Sequence, residues 1–111
     1  MRSSLLTILI LITAAAFEVA GDAIIRRGLR GGGLALILIG FAVLGTYGVV
    51  VNLIGWDFSR LLGVYVAVFA TVAVLVGRFV FQEVVPASTW TGLAVVVIGG
   101  LIIQFGPSLA K

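Results

Sequence analysis

Cysteine and histidine are both missing from the 111 residues. Without cysteine there is no disulfide framework, no thiol nucleophile and no thiolate metal site. Without histidine the chain lacks the commonest general base, the commonest metal ligand and the usual proton shuttle. Any proton exchange near neutral pH then falls to a carboxylate whose charged form is disfavoured by its surroundings. Charge is scarce as well. Asp, Glu, Lys and Arg make up 10% of the chain, against 62% hydrophobic residues. A soluble domain of this length needs more polar surface than that. No nucleophile–base pair or metal-ligating cluster is visible, so neither an enzyme nor a metal or other cofactor is expected. The net charge of +3 is spread over several segments. It fits topology and headgroup contact better than a nucleic-acid patch.

What is present is four apolar runs, each near the roughly 20 residues that cross a bilayer core. They span about 4–25, 34–54, 61–81 and 89–105. Arg26, Arg27, Arg30 and then Gly31, Gly32 and Gly33 close the first. A tight turn, Gly55-Trp56-Asp57-Phe58-Ser59-Arg60, separates the second from the third, with Trp56 at interfacial depth. Glu83 to Ser88, with Pro86, closes the third, and Gly106-Pro107 ends the fourth. The expected fold is therefore all-α: one integral-membrane domain over residues 1–111, four transmembrane helices and short loops. Short connections make sequential neighbours antiparallel and put both termini on one side.

The start of the chain offers one other reading. Arg2, the run Leu5 to Ile12 and then Ala14-Ala15-Ala16 are compatible with a secretory signal and an Ala-x-Ala cleavage site. The apolar character continues through Val19, Ala20 and Ala23 to Ile25, so an uncleaved first helix is the simpler expectation. The cations divide nearly evenly between the two expected sides. Arg2, Arg60 and Lys111 fall on the terminal side, and Arg26, Arg27, Arg30 and Arg78 on the other. The positive-inside rule needs a clear excess to fix orientation. Insertion in both orientations, as an antiparallel dimer, is one expectation; a single orientation with the Arg26–Arg30 loop inside is the other.

Glu18 lies well inside the first run, with apolar or small neighbours on both sides. A charge at that depth costs several kcal/mol, so an intramembrane glutamate is seldom idle. A proton and a cation that compete for one carboxylate are coupled by that competition alone. The plainer alternative is a neutral Glu18 that ties two helices together by hydrogen bonds. Asp22 follows by four residues and shares the same helix face about 6 Å along the axis. It is either a second carboxylate of one cavity or the partner of Arg26, four residues further on. Ala14 and Gly21 lie on the same stripe; small residues there either leave open volume or let helices approach closely. Tyr65 in the third run is a candidate to stack on a cation or to hydrogen-bond Glu18, or simply packs in the bundle. Thr46, Tyr47, Asn52 and Gln104 read as helix–helix hydrogen bonds more readily than as ligand contacts. Arg78 and Glu83 read as an interfacial pair. Gly92, Gly99 and Gly100 suit close helix contact, including contact between subunits, although their spacing is not a strict GxxxG.

Ala14-Ala15-Ala16-Phe17-Glu18-Val19-Ala20-Gly21 resembles the first-helix motif of the small multidrug resistance transporters, within the drug/metabolite transporter superfamily. The stretch Phe81-Gln82-Glu83 through Pro86 to Gly92 and on to Gly99-Gly100 is similar to that family's glycine-spaced last helix. The resemblance extends to length, span number and the place of the buried Glu. It implies an antiparallel homodimer whose two copies of Glu18 share one site, with protons exchanged for small organic cations by alternating access. It implies that Ala14 and Gly21 line the cavity, that Tyr65 stands where the family has a substrate-stacking Trp, and that the last helix carries dimer contact. The sequence departs from the pattern at Asp57-Phe58-Ser59-Arg60, where the family has a Pro-Thr-Gly-like turn. It departs again at Leu62, where a Tyr is usual, and at Val66 to Ala70, which replaces a glycine-rich stretch. Asp22 is an added acid. Besides a cation exporter of a bacterial inner membrane, two readings remain open. One is a flippase-like half-transporter for lipid-linked or metabolite cargo. The other is a non-transporting membrane subunit.

Overall fold

A computed structural model describes residues 2–109, with side chains for residues 5–107. Lys111 and the side chain of Arg2 lie outside the described residues. The elements are α1 (Arg2–Arg27), α2 (Leu34–Asn52), α3 (Phe58–Phe79) and α4 (Ala87–Leu109), with no strand among the described residues. In hydrocarbon a backbone must satisfy its own hydrogen bonds, and for isolated apolar runs of this length the helix does so. All four helices are long and apolar enough to cross a membrane.

Two ends differ from the sequence expectation. Phe58, Ser59 and Arg60 form the first turn of α3 instead of belonging to the preceding loop, with Leu61 N–H donating to the Asp57 carbonyl at 2.8 Å. Helix α4 also runs through Gly106-Pro107 to Leu109.

The connections are short and ordered. After α1 the chain makes a wide turn over Gly28–Gly32, in which Arg30 and Gly31 leave helical geometry. Gly33 N–H donates to the Gly28 carbonyl at 3.1 Å. Gly31 and Gly33 have φ of 106° and 100°, a region open to glycine at little cost. After α3 the chain reverses around Gln82, at φ 56°, whose side-chain amide donates to the Phe79 carbonyl at 2.9 Å. Glu83 N–H donates to the Gly77 carbonyl at 2.9 Å.

Contacts divide the chain into two compact units, Met1–Gly55 and Trp56–Lys111. In the first, α1 and α2 form a hairpin held by glycines. A Cβ on Gly28 would meet Ile37, one on Gly40 would meet Ile25, and one on Gly21 would stand 2.7 Å from Leu44 Cδ2. These pairs run in opposite directions along the two helices, which makes them antiparallel. In the second unit, Gly63 lies against Ile103 and Gly100 against Ala67, so α3 and α4 are antiparallel too. The buried apolar residues are few: Leu11, Ala14, Ala15 and Val51 in the first unit, and Leu61, Val64 and Tyr65 in the second. Large apolar side chains such as Leu9, Leu38, Val95 and Ile102 stand exposed along the helices. That outside suits acyl chains, and the chain has the character of a membrane protein.

Candidate functional site

Along α1 and into the turn after it, Leu11, Ala14, Ala15, Glu18, Gly21, Ile25 and Gly28 follow one another at spacings of three and four, or one between the two alanines. They form a single stripe. Leu11, Ala14, Ala15, Gly21 and Gly28 are buried and Glu18 is half-buried. Glu18 is not without a partner, and the same holds for Tyr65. The stripe is the face that meets α2, since Gly21 abuts Leu44 and Val43. Of the two roles open to Gly21, the structure displays close helix approach: the Leu44 side chain fills the space where a Cβ would stand. Ala14 is likewise enclosed, at 2% exposure.

Asp22 is one helical turn beyond Glu18 but stands exposed, as Arg26 does. Neither forms an ion pair among the described residues, so the Asp22–Arg26 pairing is not seen. The two carboxylates thus share a helix face while differing in enclosure. A groove of about 430 Å³ opens on the first hairpin, lined by Phe17, Ala20, Ile39, Ala42, Val43 and Thr46. Its wall is almost wholly apolar, and Glu18 is not part of it.

In the second unit, Tyr65 is buried with Leu61 and Val64 on α3, its ring 6.2 Å from that of Phe69 and tilted 30° to it. The other polar residues divide by behaviour. Thr46 and Asn52 do not bridge helices. They donate to their own helix, to the carbonyls of Ala42 at 2.9 Å and Gly48 at 2.8 Å. The back-bond four residues earlier is always within reach in a helix, whereas a neighbour's acceptor is not. Tyr47 also has a partner. Gln104 does join two helices, accepting from Arg60 Nη2 at 3.0 Å. Arg78 and Glu83 are not an ion pair: the Arg78 guanidinium lies 5.4 Å from the Phe79 ring centre, and the Glu83 carboxylate folds back toward Gly77. Gly92 and Gly99 face open space, while Gly100 is used inside the chain against Ala67.

One grouping was not anticipated. The Arg60 guanidinium stacks 4.1 Å from the Trp56 ring centre while it donates to Gln104, and its Nε is buried with no acceptor. The signal available was an aromatic residue and an arginine close together beside the third apolar run. Trp56 does lie in the turn before α3, whereas Arg60 belongs to the first turn of that helix.

Comparison with known proteins gives no match, whether to a family model, a curated protein or a solved structure.

Proposed function

We propose that the chain is a proton-coupled exporter of small organic cations, of the small multidrug resistance kind, acting as an antiparallel homodimer in a bacterial inner membrane. The observation that carries this reading is Glu18: a half-buried carboxylate on the packed stripe of α1. It lies within about 5 Å, along the axis, of the middle of an apolar run from Leu5 to Ile25. The cost of a charge at that depth falls when the group binds either a proton or a cation, and it cannot hold both fully. Cation binding then expels the proton, and proton binding expels the cation. When the site faces each side of the membrane in turn, that exchange drives export against the proton flow. Asp22, exposed one turn nearer the helix end, suits a waiting position for a cation on its way to Glu18. Ala14 and Gly21 keep the stripe narrow, so that the helix bearing Glu18 lies close to its neighbour. Gly92 and Gly99 leave a flat strip on α4 that suits a second copy.

The test is proton release from purified, weakly buffered protein near neutral pH, on addition of a panel of organic cations. Wild type releases protons with at least one compound, and Glu18→Gln, folded to the same extent, releases none. Silence from folded, dimeric wild type across the panel would overturn the reading in favour of non-cationic cargo or a partner subunit.

A further inference from the structure

The connection between α1 and α2 presents Arg26, Arg27 and Arg30, all exposed, within five residues. From Ala23 to Trp56 the sequence contains no acidic residue. Among the described residues none of these three guanidiniums is engaged by a hydrogen bond, an ion pair or a ring. The contrast within the chain is informative. Arg60 is held by Trp56 and Gln104, and Arg78 rests on Phe79. Three arginines at one end of the first hairpin thus keep their donors turned outward, while others in the chain use theirs.

The segment that displays them is built rather than slack. The Gly33-to-Gly28 hydrogen bond closes the turn, and Gly28 is buried against Ile37. A Cβ on Gly32 would stand 2.8 Å from the Arg27 carbonyl oxygen. Two leucines flank the arginines with most of their surface uncovered, Leu29 at 71% exposure and Leu34 at 68%. Basic side chains beside bare leucines suit the boundary between headgroups and acyl chains. The depth agrees as well, because Arg26 directly follows Ile25, where the apolar run ends.

We infer that this turn is a binding surface for anionic lipid headgroups, with Arg26, Arg27 and Arg30 gripping lipid phosphates while Leu29 and Leu34 enter the acyl boundary. The guanidinium is suited to this because its planar set of N–H donors matches phosphate oxygens two at a time. The surface holds whatever the cargo is, and its failure leaves the reading of Glu18 untouched.

The experiment uses full-length protein in a neutral detergent, offered equal amounts of phosphatidylglycerol and phosphatidylcholine with identical acyl chains. Native mass spectrometry counts the retained lipid. Wild type prefers phosphatidylglycerol by about tenfold, and added salt reduces that preference. The triple variant Arg26→Gln, Arg27→Gln, Arg30→Gln loses most of it, and the corresponding triple lysine variant, which keeps the charge but not the two-donor fork, falls between the two. Equal retention of the two lipids by wild type, or an unchanged preference in the glutamine variant, overturns the inference. Should the glutamine variant fail to fold, the salt series on wild type decides: a preference indifferent to salt overturns it. Displacement of phosphatidylglycerol by modest inorganic phosphate would assign the surface to a soluble anion and overturn the lipid assignment.

Discussion

Glu18 and Asp22 show how far two carboxylates on one helix face can differ. Glu18 lies in line with the alanines and glycine that α1 packs inward, whereas Asp22 sits at the edge of that line and is exposed. The sequence places both on one stripe but cannot say how wide the covered strip is, because that width is set by what packs against it. Gly21, between them, marks a close approach, where a Cβ would stand 2.7 Å from Leu44 Cδ2. Gly21→Leu therefore overpacks the α1–α2 contact and costs about 1–3 kcal/mol. Gly45→Leu is the matched control, since a Cβ on Gly45 meets nothing. Thermal unfolding in detergent should show a clear loss for the first and little change for the second.

Among elements, the second hairpin separates what a sequence pattern can and cannot convey. The existence of α3 and α4 was legible from two apolar runs bounded by polar and proline-containing segments. The start of α3 was not, because Phe58-Ser59-Arg60 looks like loop until Arg60 finds the Trp56 ring and Gln104, 44 residues away. That meeting depends on the register between α3 and α4. Contacts such as Gly63–Ile103 and Gly100–Ala67 set the register, and no local pattern encodes it. The same register splits the three α4 glycines, which the sequence could only group together. Gly100→Leu should lower the thermal stability of the chain while Gly99→Leu leaves it nearly unchanged. Gly99→Leu should instead weaken dimerisation, read as a shift toward monomer by light scattering in detergent. The opposite assignment of the two effects would remove α4 as the dimer strip.

For the molecule as a whole, hydropathy alone conveyed the helical class and the number of helices. The candidate site was legible only as far as one residue: the sequence placed Glu18 at depth and on a face, but not the enclosure of Ala14 or the exposure of Asp22. Orientation rests on a count of cations that is almost level between the expected sides, so both orientations should occur. Reporters fused at the C-terminus, one active only inside the cell and one only outside, should both give signal. Activity from a single reporter would rule out dual insertion.

The hydroxyl and amide groups of Thr13, Thr46, Asn52, Thr71 and Thr91 all bond back to a carbonyl of their own helix. Each polar group therefore carries its partner with it wherever the helix goes. A helix of this kind can exchange one neighbour for another, or for lipid, without breaking any of these bonds. Its sides behave as bearings, and resistance to movement is concentrated at the few points where side chains or close-packed glycines reach across.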